Sequence, residues 1–251
     1  MAYYVTASDG TDIAYDCIGE GPPVVLIHGF GANRHITWAN TGWYQTLTRA
    51  GRKLIAIDCR GHGESDKPHA AADYDEGRMA TDIIAVLAAL DVPEADLIGY
   101  SMGGQLAIRF MHDAPDRVRR VVLGGLGENY FRISKTAVEA IAKGLLTKDP
   151  STISDPLARE FRIFCEKAGD DLVAMAACIR RPRRNLSPEE LHALSQRTLV
   201  VCGEDDAMAG SPEPLARRLG DAQMLIIPKR NHHSTVGDRS FKEAAMTFFA
   251  A

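Results

Sequence analysis

The chain has 251 residues, 45% of them apolar and 25% charged, with 29 Lys and Arg against 33 Asp and Glu for a formal net charge of −4. That length suits one large domain or a domain with an insertion, and that composition suits a soluble globule with a sizeable core. A slightly acidic balance excludes a basic nucleic-acid surface, and no apolar run approaches the roughly 18 residues that span a bilayer.

The opening stretch, MAYYVTASDGTDIAYD, lacks a basic segment followed by an apolar one, so no signal peptide is expected. The five cysteines, Cys17, Cys59, Cys165, Cys178 and Cys202, are odd in number and scattered. With no Cys-x-x-Cys and no zinc-ligand spacing, they read as free, buried thiols in a reducing cytoplasm.

Taken in chain order, YYVTASDGTDIAYDCIG predicts a β-hairpin around Ser8-Asp9-Gly10. The compact apolar run Val24–Ile27 predicts a buried parallel strand ending in glycines. TGWYQTLTRAG has helical spacing and stops at Gly51, and RKLIAIDCRGHGES is a further buried strand with a glycine-rich exit. MATDIIAVLAAL, Met79 to Leu90, is an amphipathic helix. ADLIGYSMGGQLAIRFMHDAP reads as strand, turn and helix, closed by Pro115. The strand RVRRVVLGG follows, then RTLVVCGEDD, a helix at Pro214–Leu219, the strand AQMLIIP and a last helix near Phe241–Phe249. Strands alternating with helices predict an α/β fold, a mostly parallel eight-stranded sheet with helices on both faces and the hairpin at one edge. Residues 127–195 break this rhythm. They carry amphipathic pieces such as FRIFCEKAGDDLVAMAACI and no convincing strand, and are expected to be a helical cap. That cap would cover the carboxyl end of the sheet, where such sheets bind ligands. The core domain would then be 1–126 and 196–251.

LIGYSMGGQ puts Ser101 on a strand-to-helix turn, flanked at two residues by Gly99 and Gly103. By itself this can be a glycine-rich turn with an incidental serine. A tight turn of this kind lifts a hydroxyl above the sheet and aims N–H groups of a helix start at whatever the hydroxyl attacks. A serine nucleophile needs a base, and the base an orienting acid. TLVVCGEDD ends a later strand in carboxylates, and MLIIPKRNHHS ends the next in two histidines. All three groups leave the carboxyl ends of parallel strands, where they can converge.

In these motifs the chain resembles the α/β-hydrolase fold superfamily, over nearly its whole length and in the chain order Ser, Asp, His. HGFG at 28–31 resembles the oxyanion loop, DCRGHGES at 58–65 the Asp-x-Arg-Gly-His-Gly-x-Ser loop, and GYSMGG the nucleophile elbow. The family's acid usually stands three residues after the glycine of the acid turn, which selects Asp206 over Asp205. Its histidine stands four residues after the proline, which selects His232 over His233. Glu128, after RVVLGG, is a further acid candidate, because some hydrolases take theirs from that strand. The resemblance implies Ser101 as nucleophile, His232 as base and Asp206 as its orienting acid, with the backbone N–H groups of Phe30 and Met102 as oxyanion hole. It implies that His28 and Gly29 shape the oxyanion loop and that Asp58, Arg60 and His62 form a structural turn. Trp38 and Trp43 read as core.

The elbow carries Ser rather than Asp, which sets aside epoxide opening and dehalogenation. The implied reaction is hydrolysis of a small carboxylic ester through an acyl-enzyme, as in small bacterial carboxylesterases, with a lactone substrate, as in enol-lactone hydrolases, as the alternative. Carbon–carbon bond hydrolysis is a weaker match. A ligand-binding receptor or signalling protein on the same fold is the alternative of another class. No cofactor, metal, nucleic-acid or membrane partner is implied, and a cytoplasmic location is expected. RRPRR, Arg180 to Arg184, reads as a solvated loop or helix end; its alternative is a site for a substrate carboxylate.

Overall fold

The computed structural model describes residues 2–132 and 134–251. The elements in chain order are β1 (Tyr3–Thr6), β2 (Asp12–Ile18), β3 (Pro23–Ile27), α1 (Trp43–Arg49), β4 (Lys53–Ile57), α2 (Glu76–Ala89), β5 (Ala95–Tyr100), α3 (Met102–Asp113) and β6 (Val118–Gly124). The helices α4 (Lys135–Leu146), α5 (Pro156–Ala168), α6 (Leu172–Ile179) and α7 (Pro188–His192) follow. The chain closes with β7 (Arg197–Gly203), α8 (Glu213–Ala216), β8 (Ala222–Ile227), α9 (His232–Thr235) and α10 (Arg239–Ala250).

The eight strands form one sheet in the order β1-β2-β4-β3-β5-β6-β7-β8. β1 and β2 are antiparallel at one edge, and β3 to β8 run parallel. Side-chain alternation sorts β3 between two cores. Val25 and Ile27 face a cluster with Met79, Ile83, Leu106 and Phe110 of α2 and α3. Val24 and Leu26 face the opposite cluster, with Trp43 and Leu47 of α1 and Phe241 and Phe248 of α10. Trp38 and Trp43 are both fully buried there, edge to face at 5.8 Å, and the Trp43 indole N–H donates to the Val236 carbonyl at 2.7 Å. They are core residues.

Two helices differ from the sequence pattern. α2 starts three residues before Met79 because Asp75 caps it, its carboxylate accepting the Gly77 N–H. The helix expected at Pro214–Leu219 is the single turn of α8, after which the backbone tightens, with the Arg218 and Leu219 N–H groups both returning to the Leu215 carbonyl.

Among the described residues of 127–195 there is no strand. Their helices build a third cluster from Ile141, Leu145, Cys165, Ala174, Met175 and Ile179. This insertion touches the core next to β3: a side chain at Gly31 (φ +67°) would stand 2.9 Å from Cys165 Sγ. All five cysteines are free, and all but Cys17 are buried.

At the same junction sits Asp170, whose Oδ2 is buried without a partner. Burial pushes its carboxyl up to about 7, against the pull of Lys67. A raised carboxyl stabilises the fold fully only below its unfolded value. That stability is lost as pH rises through about 7. Asp170→Asn, neutral throughout, is therefore expected to gain stability over the parent between pH 4 and pH 8, by about 1–2 kcal/mol after allowance for solvent screening. Denaturant midpoints of the two proteins at both pH values check this; an equal difference at both would exclude the assignment.

Candidate active site

Ser101 joins β5 to α3 with φ 55° and ψ −113°, a left-handed conformation that L-residues adopt only under constraint. The glycines around it make the turn possible. A Cβ on Gly99 would lie 2.3 Å from the Gly103 carbonyl oxygen, and one on Gly103 would lie 2.0 Å from that of Ile27. Even Gly29 is close, its position for a Cβ being 3.3 Å from Ser101 Cβ. The turn is thus wedged between two strands and cannot relax outward.

The acid and the histidine arrive on two loops held together by a second glycine. A Cβ on Gly203, at the end of β7, would meet the Arg230 carbonyl oxygen at 2.0 Å, and the Asp205 N–H donates to that same oxygen at 2.9 Å. Asn231 caps α9 by accepting the Ser234 N–H at 2.9 Å, which sets His232 as the first residue of that turn. His232 Nδ1 then faces both carboxylate oxygens of Asp206, at 3.0 and 2.9 Å. The Asp206 carboxylate is fully buried and also accepts the Ala209 N–H at 2.9 Å. A buried carboxylate on Nδ1 keeps the proton there and leaves Nε2 as the acceptor.

The other candidates are not joined to this pair, although His233 lines the same cavity. Asp205 is exposed. Glu128 pairs with Arg132 at 3.2 Å, and His233 with Glu160 at 3.4 Å. Sequence reasoning did not single out Tyr100, whose hydroxyl donates to the His232 carbonyl and so holds His232 from behind. Its position inside Gly-x-Ser carries no signal of that contact.

Ser101, Phe30, Met102 and His232 line one cavity of about 810 Å³. Among the described residues the Ser101 hydroxyl has no side-chain partner, so its bond to His232 is not made in this state; such contacts commonly tighten only with substrate. Met102 opens α3, so its N–H has no partner within the helix, and neither it nor the Phe30 N–H donates to another protein group among the described residues. The Phe30 loop is braced from below. His28 is fully buried, its Nε2 accepts the Cys59 N–H at 2.9 Å, and its Nδ1 donates to the Gly29 carbonyl at 2.7 Å. Burial holds this imidazole below the usual histidine range, hence neutral.

Asp58, Arg60 and His62 build a turn rather than line the cavity. Asp58 accepts the N–H groups of Arg34 and Glu64, each at 2.8 Å, and ion-pairs the Arg34 guanidinium. Arg60 is held by both oxygens of Asp82, at 2.8 and 2.6 Å. His62 is buried against the Phe30 ring, with centroids 5.8 Å apart.

The RRPRR segment departs from its solvated reading. Arg180 and Arg184 do face outward, paired with Glu139 and Glu190. Arg181 and Arg183 turn inward and line the cavity. Arg181 is buried, donates to Gln105 Oε1 at 2.7 Å and has Glu76 at 3.7 Å. These partners lie far away in sequence, which is why a basic run read by itself looks solvated. Gln105 stands one helical turn after Ser101 and shares its face of α3, a spacing that could have marked it.

The alpha/beta hydrolase fold family matches residues 22–146. The chain is 30% identical over 237 residues to a 2-hydroxymuconate semialdehyde hydrolase of Pseudomonas putida, covering 87% of this chain and 83% of that protein. It is 29% identical over 258 residues to the AB hydrolase superfamily protein YisY of Bacillus subtilis (strain 168), covering 92% and 91%. Among solved structures, the esterase RhEst1 from Rhodococcus sp. ECU1013 superposes with a TM-score of 0.81 at 25% identity, over 100% of this chain and 98% of the other. Fold, motif order and relatives agree: the chain belongs to the α/β hydrolase fold superfamily.

Proposed function

We propose that the chain is a serine hydrolase that cleaves a small carboxylic ester through an acyl-enzyme, with residues 127–195 acting as its lid. The observation that carries this reading is His232, paired with Asp206 at 2.9 Å, sharing a cavity with a strained Ser101 whose hydroxyl, like the N–H groups of Phe30 and Met102, has no partner among the described residues. Ser101 Oγ attacks the carbonyl carbon as His232 Nε2 takes its proton. The Phe30 and Met102 N–H groups receive the developing oxyanion, where fixed donors cost no reorganisation. The imidazolium, steadied by Asp206, returns the proton to the leaving alcohol. Water activated by the same nitrogen then releases the acid.

A serine-directed fluorophosphonate should add one group to the protein, at Ser101, and abolish ester hydrolysis in the same proportion. Peptide mass spectrometry locates the label; stoichiometric labelling of another residue would contradict the mechanism. A second reading has support from the Pseudomonas putida relative, named for hydrolysis of 2-hydroxymuconate semialdehyde, a compound that is not an ester by name. The same nucleophile and oxyanion donors suit hydrolysis of a ketonic carbon–carbon bond. Assays on short esters, lactones and a vinylogous keto acid, side by side, separate the two by rate.

A further inference from the structure

The charges around the cavity do not balance. Its lining includes three arginines, Arg132, Arg181 and Arg183, and one carboxylate, Glu160. Glu160 is half-exposed and faces His233. Arg132 is exposed and answered by Glu128 at 3.2 Å, while Arg181 has Glu76 at 3.7 Å. Arg183 has no carboxylate within 4.0 Å among the described residues. Its one hydrogen bond among them is a long one, from Nη2 to the Ile179 carbonyl at 3.3 Å, and its Nε is buried with no partner. The Arg181 Nε is likewise buried and unbonded.

Leaving a buried guanidinium nitrogen without an acceptor is costly, and this one lines the same cavity as Ser101. Burial, with Arg181 beside it, pushes the Arg183 guanidinium down to about 10, so it remains a cation at neutral pH. A planar carboxylate would supply the missing acceptor and the missing charge together, through paired N–H···O bonds. Arg181 spends one Nη on Gln105 and its charge on Glu76, so its part is to hold the wall. Gln105 lies one turn, roughly 6 Å, along α3 from Ser101. A carboxylate reaching past it belongs to the same substrate as the scissile bond.

We propose that Arg183, with Arg181 and Gln105 behind it, is a subsite for a substrate carboxylate, and that the preferred substrates are half-esters of short dicarboxylic acids. The assignment of turnover rests on the serine-hydrolase reading above; the assignment of the anion site does not.

The test has two arms. In the first, kcat/KM is measured for monoethyl adipate and for ethyl hexanoate. The wild type should prefer the acid, and Arg183→Gln should lower the acid-to-neutral ratio by about 10- to 100-fold, the worth of one charge-assisted pair. Arg183→Lys should recover part of it. An equal loss on both esters, or an unchanged ratio, overturns the subsite. In the second arm, Ser101→Ala protein with Arg183 intact is titrated calorimetrically with glutarate and with glutaramide. Binding of the dianion alone supports the subsite, and equal or absent binding of both overturns it, whether or not the Arg183 variants fold. If no ester is turned over yet glutarate binds selectively, the hydrolysis reading falls and the subsite stands.

Discussion

Ser101→Ala is expected to lower kcat by about 10⁴- to 10⁶-fold on any substrate the wild type turns over, with the fold intact. The size follows from the role proposed for the hydroxyl. On that mechanism, without it there is no acyl-enzyme, and only binding and the proposed oxyanion donors remain to assist water. The fold should survive because the strain at Ser101 belongs to the backbone, held by Gly99, Gly103 and the Ile27 carbonyl, not by the hydroxyl. Alanine inherits the same φ of 55° and loses no hydrogen bond, since the Ser101 hydroxyl has no partner among the described residues. Single-turnover rates and a thermal melt, taken together, check both halves. A variant within tenfold of wild type would remove Ser101 from the chemistry. A variant that melts far lower would instead make the turn itself depend on the hydroxyl.

The parts of this molecule that sequence made legible are those with short-range causes. Four-residue apolar runs such as Val24–Ile27 are buried strands because both faces of a parallel sheet are covered, and β3 is that strand, with alternate residues in two cores. The antiparallel hairpin is legible in Ser8-Asp9-Gly10, where Gly10 takes φ 87°. The choice of Asp206 over Asp205 came from family spacing, and the geometry adds a local cause. The turn after Gly203 sends one carboxylate into the protein against His232 and its neighbour into solvent. What was not legible depends on partners distant in sequence. Arg34 bears no motif, yet it is buried among Asp16, Asp58 and Glu64 and ties β2 and the 58–65 loop to the segment that carries Phe30. Arg181 is similar: it turns inward toward Gln105 and Glu76, on other elements, and Arg183 lines the same cavity without such a partner among the described residues. No periodicity within the run distinguishes them from Arg180 and Arg184.

The second large effect is expected at the acid. Asp206→Asn should cost about 10⁴-fold in kcat while Asp205→Asn stays within a few-fold of wild type. An amide at 206 is nearly the same shape, so the Ala209 N–H keeps an acceptor and the buried site stays filled. The difference lies in the proton. Asp206 presents two acceptor oxygens to Nδ1 at 3.0 and 2.9 Å and thereby fixes the N–H on that side. If the asparagine oxygen stays with Ala209, its NH₂ group faces Nδ1 and makes that nitrogen the acceptor. The proton then moves to Nε2, the nitrogen that must take one from Ser101. The imidazolium formed during attack also loses its buried counter-charge. Because the defect is in tautomer and charge rather than position, KM should change little and the loss should fall on kcat. NMR of the His232 ring nitrogens in wild type and variant would observe the change of protonated nitrogen directly. A variant near full activity with the proton still on Nδ1 would show that another acid orients the base. Glu128, across the Gly210 turn from Asp206, would then be the group to remove.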